Sequence, residues 1–177
     1  MEILQYPLDA VPEALAAASD ALERATWPEA FVTENGEPPV FPPKPKGSQA
    51  FFTMDEQLVG YAEIFPRTVF TEKGPLEVWG LGSVCVDESR RGAGIGRKVV
   101  EACFAQIDLI ENGVSLFQTQ VPGFYEKLNC QRVNNRFTNG KNLENPNKNP
   151  FWDEFTMVYP KDYPWPDGKI DLNGKGY

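Results

Sequence analysis

Residues 76–104, LEVWGLGSVCVDESRRGAGIGRKVVEACF, constrain this chain more than any other stretch. Val78, Val84 and Val86 are β-branched, Trp79 is aromatic, and Leu76 and Leu81 are apolar, which is the make-up of a strand. Ile95, Val99, Cys103, Ile107 and Ile110 recur at close to helical spacing and make one apolar stripe. Between strand and helix stands Arg91-Gly92-Ala93-Gly94-Ile95-Gly96. Its three glycines let the backbone turn sharply and let a ligand come close to the main chain. The first N–H groups of a helix lack intrahelical partners, and the helix dipole favours negative charge there. Arg90, Arg91, Arg97 and Lys98 surround the turn in a chain of formal charge −8. The stretch reads as a phosphate-binding turn.

A dinucleotide fingerprint, G-x-G-x-x-G, fails here because its third glycine would fall on Arg97 or Val99. A Walker loop needs Gly-Lys-Ser/Thr, which is absent. The run from Val86 through Asp87, Glu88, Ser89 and Arg90 to Gly96 resembles the coenzyme A pyrophosphate loop of the GCN5-related N-acetyltransferases, the GNAT superfamily. Acidic residues replace that family's usual proline after the valine. A second segment, Val121-Pro122-Gly123-Phe124-Tyr125-Glu126-Lys127-Leu128-Asn129-Cys130, resembles the F-Y-E-K-L-G-F segment of the same family. Asn129 and Cys130 stand where Gly and Phe are common, and Asn tolerates a left-handed helix cap. Two motifs in the right order and spacing weigh more than either alone.

The resemblance covers roughly residues 48–160 and implies one α/β acetyltransferase domain, placed at residues 1–160; residues 161–177 show no regular pattern and read as an irregular tail. The domain's sheet would be mixed, mostly antiparallel and six- or seven-stranded, flanked by helices, with a parallel strand–helix–strand coenzyme site. The co-substrate would be acetyl-CoA, with no metal, and the reaction an acetyl transfer to a primary amine of a small molecule or peptide. The pyrophosphate would lie on main-chain N–H groups from Arg91 through Gly92, Ala93, Gly94, Ile95 and Gly96 to Arg97. Backbone groups of Val84, Cys85 and Val86 would take the pantetheine amide and thioester oxygen. Gln118 stands near where an asparagine often binds the pantetheine arm.

Tyr125 stands at the family's usual proton donor, and an unperturbed tyrosine pKa of about 10 suits exchange with a thiolate. The other reading of Tyr125 is a core tyrosine with a polar handle. The base is less defined. Related enzymes often place a carboxylate on the central strand, where this chain has Gly80 and Gly82. Glu77, earlier on that strand, and Glu63, on the strand before it, are the candidates. Either could act directly or through water, and either could equally be a solvent-facing charge. The alternative function is a non-catalytic acyl-CoA-binding or sensor module of the same fold. A third reading is an interaction protein that dimerises by strand addition, so a homodimer stays open.

Composition narrows the partners. A length of 177 residues suits one domain, and 41% apolar with 12% aromatic residues can build its core. A charge of −8 and a pI near 4.7 argue against nucleic acid and anionic membranes and suit a cationic amine. Cys85, Cys103 and Cys130 lie in apolar elements and read as buried thiols, so a reducing cytoplasm is expected. The first residues lack a basic region and a long apolar run, so neither a signal peptide nor a membrane span is expected. The chain has no histidine, which removes histidine triads and histidine metal sites.

Along the rest of the chain, residues 2–8 suit a strand. Val11, Leu15, Ala18, Leu22 and Ala25 make a helical stripe over 12–26. Six prolines in 27–47 make a loop, either a flap over a site or a surface crossing. Ala50–Met54 and Leu58–Phe65 suit a hairpin in which Gly60 marks a bulge or a close approach. Residues 114–120 form a strand that, after the helix, should be parallel to the central one. Residues 131–140 and 151–159 suit further strands, separated by an Asn-rich loop.

Overall fold

The structure, a computed structural model, describes residues 1–32 and 43–177. Among the described residues, nine strands form one mixed sheet: β1 Glu2–Pro7, β2 Gln49–Asp55, β3 Gln57–Thr71, β4 Gly74–Val86, β5 Ser115–Thr119, β6 Gln131–Val133, β7 Arg136–Thr138, β8 Phe155–Tyr159 and β9 Lys169–Asp171. The helices are α1 Glu13–Thr26, α2 Ile95–Asp108 and α3 Pro122–Glu126. The continuous path is β1-β2-β3-β4-β5-β8-β6, and β9 joins β3 and β7. The expected parallel unit is present as β4–α2–β5. Among the described residues no helix is long and apolar enough to cross a membrane.

The chain divides into two compact units. The first comprises Met1–Phe65 and Gly82–Ala105. Here β1, β2 and β3 pair antiparallel, with Leu4↔Phe52 and Phe52↔Tyr61 in register. The hairpin closes tightly, Asp55 facing Gln57, because Glu56 takes a left-handed φ of 64°. Alternate residues of β2 and β3 bury a core of Ala50, Phe52 and Tyr61, joined by Cys85 and packed by Leu15 and Leu22 of α1. The α1 face departs from the expected stripe at its end. A 3.6-residue period carries it from Leu22 to Thr26, and Ala25 turns to solvent. The expected 27–47 loop opens with a short 3₁₀ turn, Pro28–Phe31. The flap reading falls largely on residues 33–42, outside the described residues.

The second unit comprises Pro66–Leu81 and Gln106–Tyr177. Parallel pairing sets Trp79 against Ser115 and Gly80 against Leu116, and the Trp79 N–H donates to the Val114 carbonyl at 2.8 Å. The core is Val69, Val78, Val114, Leu116, Phe137, Phe151, Val158, Ile170 and Leu172. Two expectations are corrected here. The sheet has nine strands rather than six or seven, because the 131–140 segment splits into β6 and β7 and the tail adds β9. The tail is not irregular throughout: Ile170 and Leu172 alternate with polar residues and are fully buried, and Lys169–Asp171 pairs with both β7 and β3.

Candidate functional site

The first unit holds the glycine turn. Gly92 and Gly94 have φ of 81° and 78°, in the region that side chains rarely adopt. Among the described residues, a Cβ built on either would meet nothing within 4 Å, so these leave the space over the turn open. The Lys98 N–H donates to the Gly94 carbonyl at 3.1 Å, which leaves the N–H groups of Ile95, Gly96 and Arg97 ahead of that bond at the head of α2. The head is seated by Ile95, which is buried against β3. A Cβ on Gly60 would lie only 2.7 Å from Ile95 Cγ2. Gly60 therefore marks a close approach, and the β2–β3 register also shifts beside it, between Thr53 and Met54.

The basic residues divide by role. Arg90 pairs with Asp55 at the end of β2, and this guanidinium holds the Asp55 carboxyl below its usual range. Arg97 pairs along the helix with Glu101 at 2.7 Å. Arg91 is exposed and makes a loose 3.9 Å approach to Glu88. The turn into α2 is further fixed by Asp87, which accepts from the Ser89 N–H at 3.0 Å while its own N–H reaches the Val59 carbonyl at 3.0 Å. Open glycine positions, leading N–H groups and an exposed arginine together fit a pyrophosphate.

Val84, Cys85 and Val86 end β4 directly before this turn. One residue earlier, Ser83 takes a left-handed φ of 54°, strained for a residue other than glycine. Beside β4, Tyr61, Glu63 and Phe65 share one face of β3 by the two-residue period. Glu63 is only 6% exposed. Its Oε1 accepts from the Tyr61 hydroxyl at 2.7 Å, and its Oε2 lies 2.7 Å from Lys44 Nζ. That ammonium also sits 4.6 Å from the centre of the Phe65 ring. Glu23 of α1 joins the group: burial raises its pKa, a hydrogen bond with Ser83 opposes the rise, and the charge of Glu63 adds to it. Burial, with the Glu63 charge behind it, raises the Tyr61 phenol as well. Burial pushes the Cys85 thiol up to about 12.

Of the expected bases, Glu63 is thus a buried, hydrogen-bonded carboxylate. Glu77 is exposed and accepts from the Thr68 hydroxyl at 2.6 Å, which is the solvent-facing alternative. Lys44, Glu23, Tyr61 and Ser83 escaped the sequence reading. The one available signal was the alternation Tyr61, Glu63, Phe65, which puts a phenol, a carboxylate and a ring in a row.

In the second unit Tyr125 is 6% exposed, its ring 4.7 Å from Phe117 and 4.9 Å from Phe124. The Leu128 and Cys130 N–H groups donate to its carbonyl at 2.9 and 3.2 Å. The turn closes on Asn129, whose φ of 63° is the left-handed cap expected of it. Gln118 is hydrogen-bonded within the protein. Its Oε1 accepts from the N–H groups of Trp152 and Asp153 at 2.7 and 2.8 Å, and its Nε2 donates to the Tyr177 carbonyl at 2.7 Å. That amide braces three backbone groups.

Residues 47–129 match the family model described as an acetyltransferase (GNAT) domain. The fold is similar to that of Escherichia coli YhbS, a GNAT family N-acetyltransferase solved in complex with CoA, with TM-score 0.61 and 18% identity over 97% of this chain and 90% of that one. It is also similar to E. coli ElaA, with TM-score 0.58 and 15% identity over 89% and 97% of the two chains. An aminoglycoside 6'-N-acetyltransferase complexed with coenzyme A matches with TM-score 0.53 and 20% identity, over 93% of this chain and 99% of that one. No curated protein matches the sequence. The chain has the mixed α/β GNAT fold. Its likeness to the GNAT acetyltransferase domain in sequence is carried by residues 47–129.

Proposed function

We propose that this protein transfers the acetyl group of acetyl-CoA to a cationic primary amine, on a small molecule or a peptide. The observation that carries the reading is the open glycine turn at the head of α2, with Gly92 and Gly94 both left-handed and nothing over either among the described residues. The N–H groups from Ile95 to Arg97 would hold the pyrophosphate, and exposed Arg91 would add charge. Val84, Cys85 and Val86 would offer backbone groups to the pantetheine arm. Bound acetyl-CoA supplies a thioester carbonyl open to amine attack and a thiol leaving group.

The chain's own groups then handle protons. Glu63 can take a proton from the acceptor ammonium, directly or through water, since its carboxylate already receives cationic and hydroxyl donors. Tyr125 is the candidate acid for the departing thiolate, on the strength of its place in the second motif. The second reading is a non-catalytic acyl-CoA-binding module, and the occupation of Glu63 by Lys44 favours it.

Acetyl-CoA should raise the melting temperature by mass action on the native state. Gly94→Glu, which puts a side chain and a negative charge into the turn, should abolish that shift. Arg91→Glu, with no backbone constraint, should weaken it. Unchanged affinity in both folded variants would remove the turn as the coenzyme site. Release of free thiol from acetyl-CoA across a panel of amines then separates an enzyme from a binding module.

A further inference from the structure

We infer that Glu63, Tyr61 and Phe65 form the subsite for the acceptor's aliphatic primary ammonium group, and that Lys44 is its built-in occupant, which substrate must displace. The inference rests on the acetyltransferase reading and names the substrate class of that site. The chemistry of recognition is already on display. Lys44 Nζ lies 2.7 Å from Glu63 Oε2 and 4.6 Å from the Phe65 ring centre. A carboxylate and an aromatic face are the two groups that recognise an ammonium. Tyr61 fixes the other carboxylate oxygen through its 2.7 Å hydrogen bond, so Oε2 stays turned to the cation.

Glu63 is nearly fully buried, and a buried carboxylate needs a cation. The cation it has comes from a weakly built stretch. Residues 43–45 lie outside helix and strand, and the Lys44 side chain is 34% exposed, so solvent reaches it. An ammonium entering from solvent can take the same place without breaking a helix or a sheet ladder. The subsite, the end of β4 and the glycine turn all belong to the first unit. A free lysine-like amine therefore meets the site's own lysine as a competitor, and the wild-type affinity is reduced by the fraction of sites that Lys44 fills.

n-Butylamine is the lysine side chain detached from its backbone, and it is the probe. Lys44→Ala vacates the subsite, and n-butylamine should bind that variant at least about tenfold tighter than wild type, read as a rise in melting temperature or by calorimetry. n-Butanol, with the same chain and no charge, should give no rise. Adding Glu63→Gln to Lys44→Ala should abolish the amine effect. Should Lys44→Ala fold only when n-butylamine is present, that rescue is the same positive result. Equal n-butylamine affinity in wild type and Lys44→Ala, or an effect that survives Glu63→Gln, overturns the proposal. The acetyl-CoA shift, measured on the same proteins, keeps the readings apart. If amine binds Lys44→Ala and acetyl-CoA binds neither protein, the coenzyme reading falls and the ammonium subsite stands. If acetyl-CoA binds both and the amine binds neither, the subsite falls alone.

Discussion

Ile95 Cγ2 fills the place that a side chain on Gly60 would need, 2.7 Å from where its Cβ would stand. A glycine in a buried strand thus sets how closely the head of α2 approaches β3. Ile95 is β-branched and stiff at χ1, so it cannot swing away cheaply. Gly60→Ala should push Ile95, and with it the turn Arg91–Gly96. Overpacking of this kind costs about 1–3 kcal/mol. Denaturant melts should show that loss, and the acetyl-CoA shift in melting temperature should shrink with it. A variant with wild-type stability and a full shift would show that the contact does not position the turn.

Glu23 gives a pH prediction. Burial, the largest cause, raises its pKa from the ordinary 4.5, so the folded state holds that proton more tightly than the unfolded chain does. Below 4.5 both states are protonated and the residue costs nothing. The cost grows as pH rises from there and is complete above the raised folded value. Glu23→Gln keeps the shape and removes the charge. It should therefore raise the melting temperature at pH 7 and have little effect at pH 4. Equal effects at both values would mean that the Ser83 hydrogen bond, and not burial of charge, dominates at this position.

The three thiols should be silent in the folded protein. Burial pushes Cys85 and Cys130 up to about 12 and Cys103 well above its ordinary value. None forms a disulfide. A chromogenic disulfide reagent at pH 8 should label them only as fast as the protein opens, and denaturant should release all three at once. Rapid labelling of one thiol in the native state would place that cysteine in a site.

The glycine turn and its flanking strand and helix were legible in the sequence because backbone chemistry is local. Glycines, a strand pattern and a helical stripe all lie within residues 76–110, and the structure keeps them in that order. The Asn129 cap was legible for the same reason, since its conformation depends on its own side chain. The acidic cluster was not legible. Lys44, Glu63 and Glu23 are brought together by the β2–β3 hairpin and by α1, from three separate places in the chain. The tail misled because β9 is three residues long, too short for a periodic signal. The contacts of Gln118 were not legible because its partners, Trp152, Asp153 and Tyr177, lie at least 34 positions away.

If the acceptor is cationic, its capture should depend on salt. The chain carries −8 formal charge, and screening shortens the reach of that field. The kcat/KM for a productive amine should fall as ionic strength rises, while kcat changes little. A neutral or anionic acceptor turned over without salt dependence would count against the proposed amine class.

Tyr125 supplies the sharpest test of catalysis. It is buried between Phe117 and Phe124, and its carbonyl closes the α3 turn, so the backbone at this position is fixed by packing and by two N–H donors. Tyr125→Phe keeps the ring and both aromatic contacts and removes one hydroxyl. Folding and the acetyl-CoA shift should therefore stay close to wild type. Losing a positioned general acid typically lowers the rate about 10²–10⁴-fold. Turnover at saturating acetyl-CoA should fall by that order, with kcat and kcat/KM falling together, because the interaction is made only in the transition state. With an acetyl thioester analogue whose thiol is more acidic, the variant should lose less, since such a thiolate needs no proton to leave. Equal turnover in the two proteins, for both thioesters, would leave Tyr125 as a packing residue and pass protonation to solvent.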